Sequence, residues 1–249
     1  MSARPPYDPA MFAPAPARDG RFDVKDQWID CHNDHADEAE RAVEFLHRQM
    51  NEEIDSIECS ARNLSDFPEA EWDLRMAIAR QCYDEARHAE MFRRAVEARG
   101  GHVGAFPVLN FQYRIITKID DLAGRLAVQN RSFEAEGVDA IQPAIEAALQ
   151  RGDTQMAGLF DAQLADEIGH VRFANEYLAR VTSRDPRCVM SIGRALDYSG
   201  RAFVQVMGQG TIESVGYRVN QSGRLEAGFR DGEVRDIREI RRHREESAG

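Results

Sequence analysis

Residues 81–90 read QCYDEARHAE and residues 163–172 read QLADEIGHVR, so the chain writes Gln-x-x-Asp-Glu-x-x-His twice. On a helix, residues three apart stand one above the other on the same face. Each copy can therefore present a carboxylate oxygen and an imidazole nitrogen to one ion. A lone Glu-x-x-His is weak evidence, because short motifs arise by chance, and Glu44 to His47 in EFLH is such an instance. The other two copies differ in context. Each has Asp immediately before the Glu (Asp84, Asp166) and Gln four residues before it (Gln81, Gln163). Each also falls on the apolar stripe of a long periodic segment, through Leu74, Ile78 and Phe92 in one and Met156, Phe160 and Ala174 in the other. Ionisable groups in core positions are costly unless paired or bound to metal. The same costly choice at the same register predicts a shared ion site.

Outward from these motifs the pattern is helical. Val43, Leu46, Met50 and Ile57 recur at alternating spacings of three and four, which predicts a first helix over about 35–63. Pro68 in SDFPE suits the first position of a second helix over about 69–99, which Gly100-Gly101 stops. A third segment runs over about 110–136, is broken by Gly137, and continues as a shorter helix to Gln150. Asp153 in RGD then caps a fourth helix over 154–181. Asp185-Pro186 opens a fifth helix reaching about Met207. The Pro/Ala-rich start reads as an extended or partly disordered arm. The stretch VGYRVNQSGRLEAGF reads as a hairpin or coil, and EVRDIREIRRHREE as a solvated charged helix. The expected organisation is an N-terminal arm over 1–34, a helical bundle over 35–208 and a C-terminal extension over 209–249.

A site fed by two helices should draw carboxylates from the other two. The first-helix stripe passes through Glu53, with Glu52 and Glu58 to either side, and Glu134 closes the third apolar run beside Phe133. If antiparallel neighbours hold ligands at one height, their turn lies near the sequence midpoint. The midpoints of Glu53 with Glu85 and of Glu134 with Glu167 fall on SDFPE and RGD, the turns already read from Pro and Gly. Asp84 and Asp166 are placed to orient the imidazoles, Arg87 to balance the Asp charge, and Gln81 and Gln163 to line the site. Gly169 stands where the second copy would carry that Arg. His32, His35, His47 and His102 read as surface or structural. Met50, Met76, Met91 and Met156 read as core filler, and Tyr83 and Tyr177 as packing residues before redox phenols.

One Glu from each of two helices and a Glu-x-x-His from each of two others is the pattern of the ferritin-like di-iron or di-manganese carboxylate proteins. The chain resembles them through Glu53, Glu85/His88, Glu134 and Glu167/His170. The stretches NEEIDSIE, DEARH, FEAEGVDA and DEIGHV are similar to a ferritin-like branch related to the di-iron hydroxylases of tRNA and quinone biosynthesis, over about residues 40–182. The resemblance implies an all-α, ferritin-like four-helix bundle with a fifth helix. It also implies two iron ions, with Mn/Fe or Mn/Mn pairs as alternatives. The implied activity is that of an oxidase or hydroxylase using O2, an organic small molecule or modified biomolecule, and an external reductase. A ferroxidase handling iron in a shell and a structural bundle with a vestigial site are the competing readings.

Composition bounds the rest. The 249 residues are 43% hydrophobic with a formal charge of −11, enough for a sizeable core and unfavourable for a nucleic-acid partner. Four scattered cysteines, Cys31, Cys59, Cys82 and Cys188, exclude a rubredoxin-type iron site and read as free buried thiols. With no export leader and no apolar run of spanning length, the expectation is a cytoplasmic protein off the membrane. The length beyond a compact bundle suits a lid or a homodimer.

Overall fold

The structure, a computed structural model, describes residues 4–31, 37–208 and 218–248. Among the described residues it is all-α apart from two strands of two residues each. The chain divides into two compact units, Met1–Asp120 with Tyr198–Gly208 and Asp121–Asp197 with Gln209–Gly249. Among the described residues no helix is long and apolar enough to cross a membrane.

The first unit is built on α1 (Glu38–Asp66) and α2 (Trp72–Ala98), which pack along their lengths. Asp37 caps α1 by accepting from the Ala39 amide at 2.9 Å. Leu46, Met50 and Cys59 of α1 and Leu74, Ile78, Phe92 and Val96 of α2 are at most 4% exposed. Burying side chains of this size contributes about 1.5–3 kcal/mol each. Gly100 takes φ +82° and the Gly101 amide returns to the Val96 carbonyl, so α2 stops where its glycines predict. Pro68 does not open α2. The chain turns through Phe67–Glu71 and the helix starts at Trp72, because the Ala70 amide is used to close a turn on the Phe67 carbonyl.

The N-terminal arm is extended over its described length, apart from two short 3-10 turns and one two-residue strand. Composition could not show its anchors, which are long-range. Strand β1 (Val24–Lys25) pairs in parallel with β2 (Val108–Leu109), just before the short α3 (Phe111–Ile116). Arg18, its side chain 6% exposed, forks onto Glu58 and reaches Asn51 of α1. The Tyr198 hydroxyl donates to the Met11 carbonyl at 2.5 Å.

The second unit differs most from the sequence reading. The third segment is interrupted between α3 and α4 (Leu122–Val128), where the Asp121 side chain caps α4 by accepting from the Gly124 amide. It then passes through a π-helical segment, Gln129–Glu134, into α5 (Ala135–Gln150). Gly137 lies inside α5 and breaks nothing. A helical glycine costs about 1 kcal/mol relative to alanine, which packing around Val138 and Ile141 outweighs. Gly152, at φ +74°, makes the turn into α6 (Thr154–Arg184), whose first turn Asp153 caps through the Met156 amide. Helix α7 (Cys188–Met207) follows Asp185-Pro186, starting two residues later than expected. It begins in the second unit and ends in the first.

Of the C-terminal stretch read as hairpin or coil, residues 209–217 lie outside the described residues, and the remainder is helical. Asn220 caps α8 (Gln221–Glu226). Helix α9 (Asp231–Ala248) is charged as expected but not merely solvated. Val234 is 1% exposed, and Arg241 joins Arg224 on Asp139, a fully buried carboxylate of α5. His32 and His35 also fall outside the described residues.

Candidate metal centre

In the first unit Glu53 projects from α1, and Glu85 and His88 from successive turns of α2. All three are at most 7% exposed. His88 Nδ1 lies 3.1 Å from Glu85 Oε2 and 3.3 Å from Glu53 Oε2. Gln81, buried one turn earlier, donates to Glu85 Oε1 at 3.2 Å and so fixes the carboxylate from its other side. Asp84 accepts from Arg80 at 2.7 and 2.8 Å and from Arg87 at 3.0 Å, so Arg87 does balance this buried carboxylate.

The second unit repeats the triad. Glu134 is the last residue of the π segment, and Glu167 and His170 come from α6. His170 Nδ1 lies 3.4 Å from both Glu134 Oε2 and Glu167 Oε2, with all three residues at most 7% exposed. Asn130, also in the π segment, donates to the His170 carbonyl at 3.3 Å, tying that segment to α6. Gln163 is buried one turn before Glu167, and Asp166 is half-buried. At Gly169 a side chain would meet nothing within 4 Å, so the place held by Arg87 in the first copy is open in the second.

In each unit the three donors offer atoms within 4.8 Å of one another. A single imidazole N–H cannot point well at two carboxylates at once. Bonds of about 2.0–2.2 Å to a common ion, by contrast, set neighbouring ligand atoms about 3.0–3.5 Å apart, which is the spacing found. Two carboxylates and one imidazole, buried and convergent, thus fit a divalent transition metal. All six residues singled out from sequence are buried in these two clusters. The π segment was not anticipated. Its wider turn interrupts the 3.6-residue period, which is why Phe133 and Glu134 could not be separated by periodicity.

The other candidates sort as structural. His47 is 1% exposed and accepts from the Gly104 amide at 2.9 Å through Nε2, with Phe22 and Phe106 against its ring. Glu44 pairs with Arg48 instead. Burial, with a smaller contribution from His102, holds the His47 pKa down to about 4. Tyr83 is 62% exposed and lies against Arg87, and Tyr177 packs on the Ala123/Ala127/Leu178 cluster. Met76 is 44% exposed and is not core filler. Cys31 and Cys59 are buried, while Cys82 and Cys188 are half-buried.

Two relatives bear on the reading. A bacterioferritin of Streptomyces coelicolor is 24% identical over 137 residues, 55% of this chain and 78% of its own length. A Haemophilus influenzae protein described as uncharacterized is 29% identical over 120 residues, 48% of this chain and 38% of the relative, so the match spans well under half of that longer protein. No solved structure matches. A family model matches residues 3–235, nearly the whole length, and the chain belongs to that family, described as Protein of unknown function (DUF455).

Proposed function

We propose that the triads Glu53/Glu85/His88 and Glu134/Glu167/His170 each take one ion, that the two ions work as a non-heme di-iron pair in a ferritin-like bundle, and that the protein is an O2-using oxidase or hydroxylase of an organic substrate. The observation that carries this reading is the buried Glu/Glu/His triad, written twice with the imidazole nitrogen between two carboxylates. Four carboxylates neutralise two divalent cations, and the mixed oxygen and nitrogen donors suit Fe(II) or Mn(II). Such a pair, when bound, would supply two electrons to dioxygen at once, the other two coming from the organic substrate or an external reductant. The protein's own part is positioning. Gln81 holds one oxygen of Glu85, Arg80 and Arg87 neutralise Asp84 beside it, and the π segment aims Glu134 inward. π-Helical turns of this kind are frequent at functional sites.

The bacterioferritin relationship favours a second reading, iron handling. Anaerobic loading with Fe(II) followed by mixing with O2 separates the two. An oxidase or hydroxylase saturates at about two irons per chain and consumes further O2 only with reductant. Uptake and retention of many more irons per chain as a ferric mineral would refute the first reading in favour of the second. A chain that binds no iron would make both triads vestigial.

A further inference from the structure

Helix α2 is apolar on two faces. Its inner face carries Leu74, Ile78, Glu85, His88 and Phe92 into the first unit. On the opposite side Trp72, Met76, Ala79, Tyr83 and Ala86 follow one another at spacings of four, three, four and three, the seam of a helix that packs against another helix. Trp72 is 72% exposed, Met76 44% and Tyr83 62%. Large side chains repeated at heptad spacing on a solvent face mark an interaction surface, and Trp, Tyr and Met are the residues enriched in such surfaces.

We propose that this face binds the same face of a second copy of the chain, with the two α2 helices antiparallel about a two-fold axis at Ala79. The alanine puts the smallest side chain of the seam at the crossing. Met76 then meets the second copy's Tyr83, a thioether against an aromatic ring, and Trp72 covers the second copy's Ala86. The charges beside the seam fit only this sense. Asp73, exposed at the start of the helix, comes opposite the second copy's Arg87, and the two-fold makes the pair twice. Arg80 comes near its own counterpart, and it shares the one carboxylate of Asp84 with Arg87, so each copy brings one surplus positive charge that Asp73 of the other answers. A partner of uniform charge would leave either Asp73 or Arg87 opposed. The seam spans about 21 Å, close to four helical turns. The proposal depends on neither metal nor activity.

The full chain, as purified, is examined by sedimentation equilibrium at micromolar concentration. The expected mass is twice 28.1 kDa. Met76→Glu combined with Tyr83→Glu, both at exposed positions, should give the single-chain mass with an unchanged circular dichroism spectrum. Asp73→Arg should raise the dissociation constant by roughly tenfold or more by facing arginine with arginine. Under mild oxidant Ala79→Cys should link two chains, whereas Glu97→Cys, farther along the same helix, should not. A wild-type chain that stays single at 100 µM, a dimer that survives the double glutamate variant, or an Ala79→Cys protein that does not cross-link would each overturn the proposal.

Discussion

Replacing Asp139 should open the C-terminal helices without disturbing the first unit. Its carboxylate, fully buried, accepts from Arg224 Nε at 3.0 Å, Arg224 Nη2 at 2.7 Å, Arg241 Nη1 at 2.8 Å and the Asn220 amide at 2.8 Å. Arg224 is itself 3% exposed and stacks on Phe229, so Asp139→Ala would leave a buried guanidinium answered only by the half-exposed Glu136 at 3.8 Å. Breaking a buried pair by removing one partner costs about 3–5 kcal/mol. Both tryptophans, Trp28 and Trp72, lie in the first unit, so their fluorescence is blind to this change. Amide hydrogen exchange read by mass spectrometry is the suitable assay. Protection across 218–241 should fall by about two to three and a half orders of magnitude, at about 1.4 kcal/mol per tenfold, while α1 and α2 keep theirs. Asp139→Asn, which keeps the shape and loses the charge, should fall between. A change of less than about fivefold in Asp139→Ala would refute the view that this carboxylate fastens α8 and α9 to α5.

Two further outcomes are expected. With a folded pKa of about 4 against about 6.5 unfolded, His47 takes up a proton more readily in the unfolded chain. Stability should therefore be fully present above about pH 6.5 and decline as pH falls to about 4, by about 3 kcal/mol at about 1.36 kcal/mol per unit. His47→Gln should flatten that part of a stability-against-pH curve and leave metal content unchanged, as should Glu44→Gln; an undiminished slope would assign it to other groups. In chelator at neutral pH, Glu53→Gln with Glu134→Gln should bind metal poorly yet melt no lower than the wild-type apoprotein, because convergent buried carboxylates repel when empty. A clearly lower melting temperature would mean the two glutamates serve the fold rather than an ion.

The helices that carry the six site residues were legible because their signals are local. Periodicity, Gly100-Gly101 and the Asp153 cap lie within a few residues of what they specify. Matching the Glu53–Glu85 and Glu134–Glu167 midpoints to turns added a long-range check, and turns at 67–71 and 151–153 satisfy it. What escaped depends on residues distant in sequence. Arg18 reads as one charge in a Pro/Ala-rich arm until Glu58 and Asn51 receive it. Arg241 reads as one charge of a solvated helix, and Arg224 as part of a hairpin or coil, until Asp139 gathers them. The π segment escaped for another reason. A period other than 3.6 leaves no clean apolar stripe to follow, so the face of Glu134 stayed ambiguous although its identity as a candidate did not.

The most direct test of the central claim is metal content together with Mössbauer spectra of protein loaded with 57Fe(II) and exposed to O2. Wild-type protein should hold about two irons per chain with the spectrum of a magnetically coupled pair, and Glu85→Ala and His170→Ala at most one tightly held iron each. Full wild-type occupancy in both variants, or two irons that behave as isolated ions, would contradict it.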